Sequence, residues 1–296
     1  MRHAARDSLA AELLPRCSFP PAGTAVACAV SGGADSLALL VLAVAAGLQP
    51  TAIHVDHGLR PGSAGEASVV QAAASALGAG FRSVTVSVGE GPNLEARARA
   101  ARYAALPPGV LTGHTADDQA ETMLINLLRG AGLDGLAPMR SAARVGRPLL
   151  RLRRGETRAL CAAARFTPVA DESNHDPRFV RTRVRHELLP LLADIAGRDP
   201  VPILGRQAAL LGEEGAVLDA LAAGFDPTDV RAAREQPPAL LRRAVRAWLR
   251  AGDPEEHPPS AAEVERVLAV IRGDATACEL NGGRTVRRSH GRLSIR

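Results

Sequence analysis

Two rhythms of apolar and polar positions interleave through the first half of the chain. Thr24–Val30, Thr51–Val55, Val84–Val88 and Gly109–Thr112 are short apolar runs with strand character. Between them, Ser36–Ala46, Gly62–Leu77, Asn93–Tyr103 and Thr115–Leu128 follow the helical period. This alternation predicts an α/β, doubly wound, mostly parallel sheet of Rossmann-like type, with helices on both faces. The rhythm stops near Leu150, and residues 151–190 read as Arg-rich and loop-rich. From Ile203 the pattern is helical over Ile203–Ala223, Pro238–Ala251 and Ser260–Arg272, with Ser260 and Glu263 spaced as a capping box. Asn281-Gly282 between two short β-like runs signals a hairpin. Gly197, Pro200 and Pro202 mark a boundary. The expectation is a sheet domain over residues 1–200 and a smaller helical C-terminal domain over 201–296 that ends in a short hairpin.

A chain of 296 residues accommodates two such domains. With aromatic residues at 2%, packing falls to Ala, Leu and Val. All 36 basic residues are arginine, and the net charge of +5 with a pI near 9.8 favours a polyanionic partner. Cys17, Cys28, Cys161 and Cys278 are scattered without CxxC or zinc spacing, which suits reduced thiols in a cytoplasmic protein. No signal peptide is read before residue 20, and Leu37–Leu48 is too short to cross a membrane.

The richest chemistry lies at the end of the first strand. Ser31-Gly32-Gly33-Ala34-Asp35-Ser36 joins that strand to a helix N-terminus, which is an arrangement that binds phosphate through backbone N–H groups. Gly32 and Gly33 allow close approach, and Ser31 and Ser36 add hydroxyls. Asp35 would repel phosphate unless a cation lay between them, which suggests Mg²⁺ as its ligand. The loop is not a Walker P-loop, because the chain contains no lysine, and it is not GxGxxG.

Other polar clusters also follow strands. His54-Val55-Asp56-His57 comes after the second strand and is either a metal site or a loop of hydrogen-bonded histidines. His54 and Asp56 are placed to meet the adenosine or the nucleophile. On the third helical segment Glu95 and Arg99 are favourable i,i+4 partners, and Arg99 or Arg102 is a candidate for charge stabilisation. After the fourth strand, His114, Asp118 and Glu121 stand at i, i+4 and i+7 and share one helix face, with Asp117 at its border. One imidazole and these carboxylates suit Mg²⁺ binding, with Asp118 as a second ligand, and proton transfer. Asp171-Glu172-Ser173-Asn174 and Asp176 lead into Arg181, Arg183 and Arg185 at period two, which reads as a solvated basic strand or as an RNA- or phosphate-contacting arm.

Taken in order over about residues 24–190, SGGADS, HVDHGLR, NLEARARAARY, GHTADDQAETMLINLLRGAGLDGLAPM, RPLL and DESNHDPRFVRTRVRHELLP resemble the tRNA(Ile)-lysidine synthetase family of PP-loop ATP pyrophosphatases. In RTRVR, Thr182 stands where that family usually carries Asn. The resemblance implies that ATP adenylates the wobble cytidine of a CAU anticodon in tRNA(Ile). Free lysine then displaces AMP to give lysidine, which changes decoding from AUG to AUA. It implies an ATP site over Ser31–Ser36 with His54 and Asp56, and Mg²⁺ on Asp35 and Asp118. It further implies cytidine- and lysine-handling by His114, Asp118 and Glu121, stabilisation of the adenylate by Arg102 and Arg183, and a possible homodimer. The helical domain, with Arg242, Arg243, Arg246 and Arg250 and then Arg284, Arg287, Arg288 and Arg292, is the expected tRNA-recognition module, and Trp248 is expected in its core. Two other readings are a PP-loop cytidine thiolase and a non-catalytic nucleotide sensor. The unclustered cysteines argue against the first, and the His114–Glu121 face argues against the second.

Overall fold

A computed structural model describes residues 4–56, 58, 63–87, 94–139, 145–169, 178–253 and 259–296. The chain forms two compact units, Met1–Ala209 and Leu210–Arg296.

The first unit is a five-stranded parallel sheet in the order β3-β2-β1-β4-β5. The strands are β1 (Ala25–Ala29), β2 (Gln49–Asp56), β3 (Gly80–Thr85), β4 (Val110–Thr112) and β5 (Val145–Gly146). The intervening helices are α2 (Ala34–Ala45), α3 (Ser63–Leu77), α4 (Leu94–Ala105), α5 (Ala116–Leu128) and the single turn α6 (Leu133–Leu136). Two helices had no counterpart in the apolar pattern: α1 (Ala4–Leu13) and α7 (Arg154–Ala163).

Strand alternation sorts the core into two faces. Val26, Cys28 and Val30 pack with α2, whose Leu37–Ala43 segment is wholly buried, and with Leu13 of α1 and Leu160 and Cys161 of α7. Ala27 and Ala29 face the opposite layer, where Ile53, Val110, Val145 and Tyr103 meet. The helix α2 is apolar nearly all round because it is covered by the sheet on one side and by α1 and α7 on the other.

β1 and β4 are neighbours, yet β2 and β3 extend from β1 while β5 extends from β4. The order of strands therefore reverses between β1 and β4, and the loops after both strands open into the crevice at that switch point.

After α7, α8 (Val180–Arg183) runs through a π-helical turn, Val184–Leu188, into α9 (Leu189–Ala196). Residues 181–185 are thus helical, not the basic strand or loop that the period-two arginines suggested. Val184 and Leu189 pack against Ala116, Ala120 and Leu124 of α5. α10 (Val201–Ala222) follows.

The second unit contains α11 (Val230–Arg234), α12 (Pro238–Ala251), α13 (Ala261–Arg272) and an antiparallel sheet of β6 (Ala277–Glu279), β7 (Thr285–Ser289) and β8 (Arg292–Ile295). The tail adds this third strand to the expected hairpin. Leu241, Val245 and Leu249 meet Val267, Leu268 and Ile271, with Trp248 packed against that core. Ser260 and Glu263 form the capping box at α13, and Glu263 also accepts from Asn281 N at 2.9 Å, which ties the hairpin turn to the helix start. Among the described residues no helix is long and apolar enough to cross a membrane.

Candidate active site

The Ser31–Ser36 turn is closed from within. Ser36 Oγ donates to Gly33 O at 2.9 Å and accepts from Ser31 N at 3.2 Å, with Ser31 Oγ at 3.3 Å. Gly32 adopts φ +84°, where a side chain would also strike Val169 Cγ2 at 2.9 Å. Ala34 and Asp35 lie in the first turn of α2, with Gly33 as its N-cap. Gly113, at the end of β4, presses on the same turn: a Cβ there would lie 2.6 Å from Asp35 O. Glycine at that position lets the two loops of the switch point touch.

His54 is buried at the carboxyl end of β2. Its Nδ1 lies 3.1 Å from Val30 O, so the proton sits on Nδ1, and the buried Nε2 has no hydrogen-bond partner among the described residues. Asp56 Oδ1 accepts from Gly58 N at 2.8 Å and shapes the following turn. His57 lies outside the described residues, as do Asp171, Glu172, Ser173, Asn174 and Asp176. No group of three or more His, Cys, Asp or Glu side chains suited to a metal ion occurs among the described residues.

On α5 Asp118 and Glu121 share a face as their spacing predicts, whereas His114 lies in the loop before the helix, ahead of the extended N-cap Thr115, and is not on that face. His114 Nδ1 is 2.8 Å from Thr112 Oγ1, and that hydroxyl donates to Gly146 O at 3.2 Å. A hydroxyl has one proton, so Thr112 accepts from Nδ1–H and Nε2 is the basic nitrogen of His114. Asp118 divides its two oxygens. Oδ2 caps the helix by accepting from Thr115 N and Thr115 Oγ1, each at 2.9 Å, while Oδ1 accepts from Arg154 Nη2 at 2.8 Å. Burial pushes the Asp118 carboxyl up, but the Arg154 charge and the Thr115 N–H outweigh it and hold it below the usual range. Glu121 is fully buried. It accepts from Arg154 Nη1 at 2.9 Å and from Arg185 Nε and Nη2 at 2.8 and 3.2 Å.

Asp35 completes the cluster. Its Oδ1 accepts a short hydrogen bond from Thr157 Oγ1 on α7, and its Oδ2 lies 3.7 Å from Arg154 Nε. Burial, and then the neighbouring Asp118 charge, raise its carboxyl above the usual range against the Thr157 hydrogen bond. Asp117 faces outward from this cluster. Its carboxylate takes Arg153 Nη2 and Nε at 3.0 and 3.1 Å and the backbone N–H of Arg154 at 2.8 Å, fastening the start of α7 to the start of α5.

The arginines sort differently from their spacing. Arg181 and Arg185 are one helical turn apart and share the face toward α5: Arg181 donates to Thr122 Oγ1 at 2.9 Å and Arg185 binds Glu121. Arg183, two positions on, points to solvent and pairs with Glu187 at 2.8 Å on its own helix. Arg102 is exposed on α4. The structure thus gathers Asp35, Asp118 and Glu121 around Arg154 and leaves Arg183 outside this ion network. Arg154 and Thr157 were not anticipated, and of the three arginines read as a contacting arm it is Arg185, not Arg183, that bonds the buried Glu121. The available signal was Thr157, Leu160 and Cys161 at i, i+3 and i+4, the buried stripe of a helix inside a segment read as loop.

Two family models match the chain: a PP-loop domain over residues 8–192 and a TilS substrate binding domain over residues 229–294. The chain is 44% identical over 323 aligned positions to the tRNA(Ile)-lysidine synthase of Nocardia farcinica, covering 100% of this chain and 97% of that protein. It is 46% identical to the Rhodococcus erythropolis protein of the same name (77% and 74% covered) and 44% identical to that of Mycobacterium tuberculosis (75% and 74%). Among solved structures, a U34-tRNA thiolase from Methanococcus maripaludis aligns with a TM-score of 0.57 at 16% identity, covering 71% of this chain and 80% of that one, a likeness of fold. With that identity to the Nocardia farcinica protein over nearly the full length of both chains, and the PP-loop and TilS substrate binding domains in order, the chain belongs to the tRNA(Ile)-lysidine synthase family.

Proposed function

We propose that this enzyme joins free lysine to carbon 2 of the wobble cytidine in the CAU anticodon of tRNA(Ile). Use of ATP and a tRNA substrate come with the family. In the first step the cytidine carbon-2 oxygen attacks the α-phosphorus of ATP, the bond to the β-phosphate oxygen breaks, and pyrophosphate leaves. In the second, the lysine amine attacks carbon 2, the carbon–oxygen bond breaks, and AMP departs with one proton released from nitrogen. The observation that carries this reading is the meeting of the phosphate-loop acid Asp35 with the α5 acids Asp118 and Glu121 at the sheet's switch point.

The turn after β1 offers its backbone N–H groups and the α2 N-terminus to the triphosphate. Arg181, partly exposed beside Glu121, is available to the phosphoryl oxygens. Nε2 of His114 is positioned to take the proton from the attacking amine, since an imidazole titrates near neutrality. Three carboxylates stand against Arg154, Arg185 and, at 4.0 Å, Arg181, so once Arg181 turns to phosphate the groups left behind carry one negative charge that favours the lysine ammonium. Asp35 fits Mg²⁺: a hard oxygen donor beside the phosphate loop, buried, with its carboxyl raised by a like charge. Asp118, the other candidate ligand, has both oxygens engaged by Thr115 and Arg154. When bound, Mg²⁺ would neutralise charge on the transferring phosphoryl group. Burial pushes Cys28 to about 12 and Cys17 and Cys161 to about 11, so none is the thiolate that thiolation chemistry needs.

In the second unit, Arg242, Arg284 and Arg292 are already paired with Glu265, Asp253 and Asp226. Arg231 and Arg288 instead line a cleft with Arg234 and a single acid, Glu235, so the cleft keeps a positive balance. These are the arginines best placed for tRNA phosphates. The test is mass analysis of a CAU-anticodon tRNA(Ile) transcript after incubation with enzyme, Mg-ATP and isotopically labelled lysine. A labelled lysine adduct on the cytidine, with AMP and pyrophosphate formed, supports the reading. ADP and phosphate, or unmodified tRNA, refute it.

A further inference from the structure

We propose that Arg154 is a positioning residue that locks the ATP side and the nucleophile side of the active site into one frame. The inference rests on the function proposed above. Arg154 opens α7, and every arm of it is engaged. Its backbone N–H donates to Asp117 at 2.8 Å. Its guanidinium donates to Asp118 Oδ1 at 2.8 Å and Glu121 Oε1 at 2.9 Å, and its Nε stands 3.7 Å from Asp35 Oδ2. Its carbonyl lies 2.9 Å from Thr157 Oγ1, the hydroxyl whose proton goes to Asp35. The side chain is only 13% exposed.

Asp35 belongs to the loop after β1, while Asp118 and Glu121 belong to the helix after β4. Their backbones touch at Gly113, but the side chains that do the chemistry are joined through Arg154 and its helix. Without it, three carboxylates would crowd one another with Arg185 as the remaining guanidinium bonded to the cluster, on Glu121 alone. They would repel and turn apart. A planar guanidinium satisfies two carboxylates in a fixed plane and leaves its Nε edge toward a third, which an ammonium cannot reproduce. Because both of its terminal nitrogens are bonded to Glu121 and Asp118 and the side chain is largely buried, Arg154 acts through the acids and not on substrate.

This role separates binding from turnover. The phosphate loop closes through its own serines and does not need Arg154. Arg154→Met is expected to lower kcat about 30- to 100-fold while the KM for ATP stays within about threefold, since misplaced catalytic groups cost rate more than ground-state binding. Arg154→Lys, which restores charge but not the fork, should recover about a third of the lost activity on a logarithmic scale. Guanidinium ion at millimolar concentration should saturably rescue Arg154→Ala. The assay is lysine- and tRNA-dependent formation of AMP and pyrophosphate, with wild-type enzyme alongside. A kcat for Arg154→Met within threefold of wild type overturns the proposal. So does equal inactivity of all three variants with a parallel rise in KM for ATP and no guanidinium response, the signature of a merely structural residue. An inactive wild type would instead overturn the reading of the function, and the role of Arg154 with it.

Discussion

Glu121→Gln tests whether the buried ion cluster holds the fold as well as the chemistry. Glu121 is fully buried and receives three N–H groups from two arginines, at 2.9, 2.8 and 3.2 Å. Glutamine keeps the shape but offers one acceptor oxygen, and its amide must turn donors toward one guanidinium. Removing one partner from a buried ion pair costs about 3–5 kcal/mol. Here Arg154 retains Asp118, and glutamine retains one acceptor, so about 2–3 kcal/mol is expected. For a unit of this size 1 kcal/mol moves the melting point by about 2–4 °C, so the first unit's transition should fall by roughly 4–12 °C. Differential scanning calorimetry at low and high salt reads it, and the shift should persist in salt because buried pairs are poorly screened. Glu187→Gln, which breaks the exposed pair with Arg183, is the control and should not measurably change the melt. A shift for Glu121→Gln under about 1 °C, or one matched by the control, would show that the cluster adds nothing net to folding.

Asp35→Asn should raise the melting temperature at neutral pH by the equivalent of about 1 kcal/mol while lowering turnover at least about tenfold. The folded-state pKa of Asp35 lies above its unfolded value, so its ionised form destabilises the fold at high pH, and the gap to the variant should close as pH falls through the folded pKa. Asp117→Asn should behave oppositely. Burial raises the Asp117 carboxyl, but the Arg153 and Arg154 hydrogen bonds hold it below the usual range. Its stabilisation is therefore present above about pH 4 and is lost as pH falls through the lower folded value, so wild type and variant should converge in acid denaturation. Arg231→Ala with Arg288→Ala should weaken tRNA binding several-fold without changing the KM for ATP, and should reduce the log–log salt slope by about 1 per lost phosphate contact. Arg242→Ala, whose arginine is already paired with Glu265, should leave both unchanged.

The sheet was legible because its strands are short apolar runs bounded by glycine and polar turns. α3 and α5 were legible because each buries one stripe, and α2 because its apolar run is too long for a strand. β5 escaped notice because two residues carry no period, yet they pair with Val110 and Leu111 and extend the sheet. α7 escaped because its arginines masked a narrow apolar stripe. Arginine at alternate positions looks like a strand when counted along the chain. Once the segment folds as helix, Arg181 and Arg185 share a face and Arg183 does not.

The candidate site divides along the same line. A helix period places Asp118 and Glu121 together, so that pair could be read without coordinates, while His114 comes from the loop ahead of the helix, where the period does not apply. No period reports what lies opposite that pair. Glu121 meets Arg154 and Arg185 across 33 and 64 residues of chain, and Asp118 meets Arg154 across 36. Such contacts follow from topology: β4 beside β1 brings the loop before α5 against the first turn of α2, and α7 packs along α2 while its first turn bonds the start of α5. Asp118 shows why the two kinds of information are needed together. Its position three residues after Thr115 predicts a helix cap, and its place on the acidic face predicts chemistry. The carboxylate does the first with Oδ2 and faces the site with Oδ1. Asp118→Asn should therefore separate the roles. An asparagine oxygen turned toward Thr115 preserves the cap and points an amide at Arg154. The loss should then appear as a fall in turnover larger than the fall in stability, whereas Thr115→Ala should show the reverse order.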